Sequence, residues 1–301
     1  MKIDRRIWKT AAAAAAITLV ASAAIMRLDD WSKGLNSGFI VYGQSGTGGG
    51  GGSTGTGGGT TYTKALPQIV SGGGYATTIE VINTSSTTES VSAVFYNTSD
   101  GSASTLKYST NLNAPTSFTG SMPPISLPAN NALVLTTSSS SPGVNWGVVT
   151  ASGTITVAEV FEVRDNNNNL QARVGVPGSP ANMQKIVIPR FRNFIRGSLT
   201  GFSGLDVGYA LANTGSTDIT VTVAITDALG NTLQISQPFK LAAHTQIAEF
   251  PAARFPSLAD QAGLTYGAVT ITASAPQLAA IGLADEFATS LLSTFPVDVL
   301  Q

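Results

Sequence analysis

The sequence predicts an all-β fold: two tandem antiparallel β-sandwich domains behind an N-terminal hydrophobic helix and a glycine-rich linker. Short segments after Tyr62 alternate apolar and polar residues with a period of two, which is typical of strands with one buried face. The same region has no sustained helical period apart from a short turn around Ala252–Ala259. The second half also repeats landmarks of the first half in the same order, which indicates a duplicated domain.

Residues 1–26 have the pattern of a signal peptide or an N-terminal membrane anchor. Four cations precede an apolar run from Thr10 to Met26, and Ala21-Ser22-Ala23 is a sequence that signal peptidase accepts. The run of about 17 residues is at the short limit for crossing a bilayer. Cleaved signal and retained anchor both remain open, and both predict export.

Residues 27–44 form a short apolar segment that includes Phe39, Ile40, Val41 and Tyr42. Residues 45–61 are nearly all Gly, Ser and Thr, a composition that behaves as a flexible linker. No Lys-Ser/Thr pair follows the glycines, so they do not form a phosphate loop. The remaining ranges, 62–181 and 182–301, are each long enough to bury a core of their own and are predicted as β-sandwich domains 1 and 2.

The internal repeat consists of short motifs that precede or form predicted strands. Strand-like alternation is clearest where Ile219, Val221, Val223 and Ile225 are separated by Thr or Ala. The matching pairs of segments are Asn83–Thr87 with Asn213–Thr217, Leu127–Asn131 with Leu241–Thr245, and Trp146–Thr150 with Tyr266–Thr270. Extra residues around Leu112–Pro124 are a loop insertion, as expected when strands persist and loops diverge.

The stretch from Leu66-Pro67-Gln68 through Gly72-Gly73-Gly74-Tyr75 to Thr77-Thr78-Ile79, just before the Asn-Thr-Ser motif, resembles a known class of sequences. This class consists of predicted exported bacterial proteins with tandem Ig-like β-sandwich domains, whose roles are largely uncharacterised. The resemblance covers roughly residues 65–298. It implies an Ig-like fold for both domains and brings no catalytic residues.

Composition excludes several classes of function. The chain has no cysteine, which excludes disulfides, thiolate catalysis and cysteine-based metal sites. A net charge of -1 with 11% charged residues gives no field that would attract a polyanion, so nucleic acid is not an expected partner. The single histidine excludes a multi-histidine metal site. No cofactor is predicted.

Two polar segments are candidates for chemistry. Any Ser-His-Asp scheme must use His244, but it lies in a turn where the first half has asparagine, which indicates a turn residue. Asp165, Asn167 and Asn169 place oxygen atoms at alternate positions, as calcium prefers. Leu170 follows where a calcium loop needs glycine, and asparagine is also common in hairpin turns. The sequence therefore predicts no catalytic residue and keeps these three as calcium candidates.

Basic and aromatic residues are interleaved where the second domain begins. The four cations of this segment, all interaction candidates, are Lys185, Arg190, Arg192 and Arg196. Such a pattern can bind an anionic polymer or a membrane surface. It also fits an opening strand whose apolar side packs inward while its cations stay in water.

Some aromatic and acidic residues are of the types found in sugar-binding and sugar-hydrolysing sites. Trp31, Trp146 and Tyr266 have the chemistry of a carbohydrate platform, but the last two share a repeat position, which favours a core or intersheet role. Glu80, Glu159 and Glu162 lie in strand-like segments, and nothing predicts the paired carboxylates of a glycosidase. Glu162 is expected to face solvent.

Together these features predict a non-catalytic, exported protein that displays two β-sandwich domains to a protein or an envelope polysaccharide. Its predicted location is the cell surface, the periplasm or the extracellular space, with membrane contact only through the N-terminal segment. Two alternatives stay open, a carbohydrate-binding or adhesive module and a subunit of an extracellular fibre. In the fibre, Phe39–Tyr42 adds as a strand to an open sheet edge of a neighbouring copy.

Overall fold

The computed structural model describes residues 61–300, except 114, 140, 166, 196–202, 259–262, 287–290 and 296. Its strands pair antiparallel throughout. Helix in the described part is limited to α1 (Pro251–Arg254) and a 3-10 turn at Pro256–Leu258, where the sequence predicts a short turn. The all-β prediction is confirmed. The N-terminal helix, the apolar segment and the linker lie outside the described residues.

Eleven strands come from residues 62–180. They are β1 (Tyr62–Ser71), β2 (Tyr75–Asn83), β3 (Glu89–Asn97), β4 (Lys107–Thr110), β5 (Ser117–Thr119), β6 (Ser121–Leu127), β7 (Ala132–Ser138), β8 (Gly143–Ala151), β9 (Ile155–Arg164), β10 (Leu170–Pro177) and β11 (Ser179–Pro180). The predicted loop insertion supplies β5 and most of the loops around it.

Ten strands come from residues 185–299. They are β12 (Lys185–Ile195), β13 (Ser203–Asn213), β14 (Ile219–Asp227), β15 (Thr232–Ile235), β16 (Phe239–Leu241), β17 (Gln246–Glu249), β18 (Gly263–Ala273), β19 (Leu278–Glu286), β20 (Leu291–Phe295) and β21 (Asp298–Val299).

The order of strand pairing in the first half is repeated in the second. One layer of the first half runs β11-β1-β8-β3-β6, and its counterpart runs β21-β12-β18-β14-β16. The other layer runs β10-β9-β2-β7-β4-β5, and its counterpart runs β20-β19-β13-β17. Among the described strands, β4 and β5 have no equivalent in the second half, and β15, which pairs with β14 beside β16, has none in the first half. In the second half, the adjoining ends of β12 and β13 also pair, so both layers belong to one hydrogen-bonded sheet.

Each half has a core between its two layers. The first core joins side chains of β1, β3 and β8 to those of β2, β7 and β9, and the second joins the matching strands. The alternation of β14 is as predicted, since Ile219, Val221, Val223 and Ile225 are all buried. Residues with the opposite phase in these strands face outward.

Asn83, the last residue of β2, is fully buried in the first half. Its Nδ2 donates to the carbonyl oxygens of Thr87 at 2.7 Å and Leu127 at 2.9 Å. Its Oδ1 accepts a hydrogen bond from the backbone N–H of Ser85 at 2.9 Å. One side chain therefore joins the crossover from β2 to β3 with the end of β6.

Asn213 makes the same contacts in the second half. Its Nδ2 donates to the carbonyl oxygens of Thr217 at 2.8 Å and Leu241 at 3.1 Å, and its Oδ1 accepts from the N–H of Gly215 at 3.0 Å. The matching Asn-Thr-Ser and Asn-Thr-Gly motifs of the sequence are thus one structural device used twice. The repeat exists because this corner needs a buried amide at the end of the strand.

The structure corrects one part of the repeat. Trp146 is paired with Tyr96, and the position that matches Tyr96 in the second half, Thr226, is paired with Ala268. Tyr266 therefore lies two residues away from the place that corresponds to Trp146. The shared aromatic-Gly pattern aligns the two strands two residues out of register. A shift of two residues keeps every side chain on the same face, so the period-two alternation does not reveal it.

The two halves are joined by a buried junction within one compact unit. Residues Ala65–Ile69 of β1 are buried whichever face of the strand they occupy, as are residues 206–212 of β13. An apolar cluster between the halves contains Phe161, Val174, Val176, Ala210 and Ile281, with Val70 and Leu283 packed against it. The outward face of a first-half layer is therefore covered by the second half.

We predict that Asn83→Ala and Asn213→Ala each lower the free energy of unfolding by about 2–3 kcal/mol, because carbonyl groups at a buried corner lose their donor. Urea denaturation followed by fluorescence measures this change. Asn167→Ala, at an exposed position of the β9–β10 turn, is the matched control and should change stability by less than about 0.5 kcal/mol. Equal effects at all three sites would contradict the role assigned to the buried pair.

Candidate interaction site

His244 lies at the junction of the halves. Its backbone has a positive φ of 56°, and Asn130 has 59° at the matching turn of the first half. Its ring stacks on Tyr96 with centroids 4.7 Å apart and planes 1° from parallel. The Nε1–H of Trp146 donates to the His244 carbonyl oxygen at 2.8 Å, and Trp146 also stacks on Tyr96 at 4.8 Å. The histidine is a turn residue with a packed ring.

The loop after β3 comes close to the turn of His244. The N–H of Gln246 donates to the carbonyl oxygen of Thr98 at 3.1 Å. Gly101, at a φ of 68°, leaves no room for a side chain, because a Cβ there would lie 2.6 Å from the Ala243 carbonyl oxygen. A glycine is required at this point by both conformation and close approach.

Asp165 uses its carboxylate inside its own hairpin turn. Its Oδ1 accepts from the N–H groups of Asn167 at 2.9 Å and Asn169 at 2.8 Å, and its Oδ2 accepts from the Asn169 side chain at 2.9 Å. These bonds, with the Asn169 side chain as the largest contribution, hold the pKa of Asp165 below its usual range. Asp227 and Asn231 form the same bonds in the β14–β15 turn. The repeated pattern is that of a turn. The described residues contain no cluster of three or more His, Cys, Asp or Glu side chains that could hold a metal ion.

Of the basic cluster, Lys185 is exposed, and Arg196 lies outside the described residues. Arg190 and Arg192 are only 4% and 5% exposed, so the expectation that these cations stay in water is wrong. Both arginines have the same phase along β12 as the core residues Ile186 and Ile188. The alternation in the sequence therefore indicates that their side chains face inward.

The buried Arg192 guanidinium is held by partners within the second half. Arg192 forms an ion pair with Asp206 on β13, at 3.4 Å between Nε and Oδ2, and also donates to the carbonyl oxygen of Leu258. Burial lowers the pKa of Arg190, and the nearby Asp206 carboxylate partly offsets this effect. These two arginines are therefore not available as an exposed basic surface.

A second polar network was not predicted from the sequence. Glu249 accepts hydrogen bonds from the Tyr209 hydroxyl and the Arg254 Nε, both at 2.5 Å. The Arg254 guanidinium also lies 3.7 Å from the centre of the Phe239 ring. These residues lie on β13, β17, α1 and β16, so only the fold brings them together. The network attaches α1 to the sandwich.

Glu159, by contrast, is a fully buried carboxylate without a hydrogen-bond partner. Burial raises its pKa well above the usual range. The alternation of β9 indicates this burial in the sequence, because Glu159 is in phase with the buried Val157 and Phe161. Glu162, in the opposite phase, is partly exposed and forms ion pairs with Arg164 and Arg173.

Besides Val299 and Leu300, the exposed large apolar side chains described in the second half lie at two places. The first, the aromatic face, consists of the exposed Leu264 and Tyr266 on β18 and the half-buried Phe191 on β12, which also packs against the core. Tyr266 is 52% exposed and meets Phe191 edge-on. The second, the edge surface, consists of Leu229, Leu233 and Ile235 in the β14–β15 hairpin, exposed by 86%, 47% and 61%. Tyr266 is thus not a core residue, whereas Trp146 is buried.

No family model, no curated protein and no solved structure matches this chain. Within the part of the chain that the structure describes, no helix has the length and apolar character needed to cross a membrane.

We predict that Glu159→Gln stabilises the protein increasingly as the pH rises. The unfolded chain releases the Glu159 proton above about pH 4.3, while the folded chain retains it. Where this holds, each pH unit lowers the free energy of unfolding of the wild type by up to about 1.4 kcal/mol. Glutamine does not titrate, so the variant does not lose stability in this way. Urea denaturation of wild type and variant at pH 4, 6 and 8 gives the difference in unfolding free energy.

Glu80→Gln, an exposed change on the neighbouring strand β2, is the matched control, and the pH trend of Glu159→Gln is measured against it. A difference between Glu159→Gln and wild type that stays constant from pH 4 to 8 would show that Glu159 is ionised in the folded state.

Proposed function

We propose that this chain is an exported, non-catalytic structural or interaction protein, which displays two tandem Ig-like β-sandwich domains as one stiff body. The observation that carries this proposal is the repeated strand order, together with a junction that buries one face of each half. A buried junction of this kind resists the relative motion that a flexible linker would allow. Such a body is suited to hold surfaces at fixed positions.

Three residues with potential for chemistry support the same conclusion, because each has a structural task. His244 stacks on Tyr96, Asp165 closes a hairpin, and Arg192 pairs with Asp206 inside the protein. A catalytic group instead needs a neighbouring nucleophile or acid in an accessible cleft. An activity that is lost in His244→Ala, with the melting temperature preserved, would contradict the proposal.

Export is supported by the sequence before the domains. Four cations, an apolar run and a small-x-small motif precede a Gly/Ser/Thr linker, an order that delivers a folded body to the outside and spaces it from the envelope. The absence of cysteine is compatible with that location but does not require it.

We expect the native protein in cells to be recovered outside the cytoplasm. The measurement is fractionation into cytoplasm, membrane, surface and medium, with N-terminal sequencing of the product. A mature start near Ala24 in the surface or medium fraction indicates cleavage, and an intact Met1 in the membrane fraction indicates a retained anchor. Recovery of intact protein from the cytoplasm alone would overturn the proposal.

A second candidate function, carbohydrate binding, is favoured by the aromatic face. Tyr266 is half exposed beside Phe191, and an exposed aromatic ring can stack on a sugar. If this function is correct, Tyr266→Ala reduces retention on envelope polysaccharide by about tenfold, as the loss of one stacking contact of about 1–1.5 kcal/mol requires. Leu229→Ala, at an exposed turn away from this face, is the control, and equal retention of both variants would exclude the aromatic face as a sugar site.

A further inference from the structure

Unpaired sheet edges are interaction sites unless the protein blocks them. Most edges in the described part of the chain are blocked in a recognisable way. The edge strand β6 contains Pro123 and Pro124, β5 has three residues, and β11 and β21 have two each. The edges β10 and β20 face each other across the junction, where Val174 and Val176 are buried. Each device removes donors, shortens the edge or covers it.

β15 has none of these devices. It contains no proline, and within the described residues its one strand partner is β14. Leu233 and Ile235 are exposed on it by 47% and 61%, and Leu229 is exposed in the preceding turn. A shallow groove beside this edge is lined by residues 235–239 of the chain and by Arg254 and Phe255. An open edge with apolar side chains is the arrangement that accepts an added strand.

We propose that β15 is the acceptor for the segment Phe39–Tyr42 of a second copy of this chain, which adds to it as a strand. This inference rests on the proposed function only in treating the chain as a structural protein. The segment consists of four residues with high strand propensity between two glycines, and β15 also has four residues. Neither contains a charged residue, and the exposed side chains of Leu233 and Ile235 lie on one face of β15, where an added strand can place apolar side chains beside them.

The linker and the position of β15 favour a donor from another chain. The 45–60 linker has an r.m.s. span of about 22 Å as a Gly-rich coil. It leads into β1, which packs on β13 and β19, whereas β15 ends the opposite layer of the second half. A donor from the same chain has to pass around the junction and both layers, each layer spacing being about 10 Å. A donor from a neighbour meets no such obstacle.

Disulfide trapping can test the contact directly, because the chain has no cysteine of its own. Full-length Ile40→Cys or Val41→Cys protein is mixed with full-length Leu233→Cys or Ile235→Cys protein under mild oxidation. We expect covalent dimers in at least one combination, formed at least about tenfold faster than with Tyr266→Cys, an equally exposed site off the edge. Equal trapping at Tyr266→Cys would overturn the proposal.

Native mass gives a second readout. The double variant Leu233→Lys/Ile235→Lys and the deletion of residues 35–43 should each reduce multimers to monomers with an unchanged melting temperature, since both lysines replace exposed side chains. Leu264→Lys, a comparably exposed position on β18 away from this edge, is the control and should retain multimers. The proposal would be overturned by multimers that persist in the double variant or by a wild type that is monomeric at all concentrations. It would also be overturned by a disulfide that forms within a single Val41→Cys/Leu233→Cys chain at high dilution. Export is read separately by fractionation, so failure of one proposal is distinguishable from failure of the other.

Discussion

One buried amide in each half, Asn83 and Asn213, defines the corner around which the two layers are connected. An asparagine at this position can donate to the carbonyl groups of the crossover and of a distant strand end while it accepts from a third backbone group. These backbone groups are removed from water and would be costly without partners. The packing of each half therefore depends on a buried polar interaction as well as on its apolar core.

The junction then decides what each half presents to solvent. In the first half, the layer with β1, β3 and β8 is covered, and the stacked rings of Trp146, Tyr96 and His244 are part of that contact. In the second half the corresponding layer is open and ends at β15. The duplicated halves are thus unequal in exposure although their strands pair in the same order, and both apolar surfaces lie on the half whose layer remains uncovered.

Whether these charged side chains are buried depends on their position in the strand more than on the type of residue. Arg190, Arg192 and Glu159 are each in phase with core residues of the same strand, although charged side chains are rarely buried. Composition suggests that they face water, and the two-residue period indicates the opposite. Where the arginines have an acidic neighbour the charge is compensated, whereas Glu159 has no partner and is driven toward its neutral form.

The sequence by itself determined the all-β class, the strands of β3, β9 and β14, and the Asn-Thr motif of both corners, because alternation and turn chemistry act between residues close in the chain. Only the tertiary structure decided the register between strands, the partner of Arg192 and the stacking of His244 on Tyr96. These depend on residues as distant in sequence as Trp146 and His244, and on which outward face is buried against the other half. A period of two defines two faces of a strand but cannot state which neighbour will lie against them.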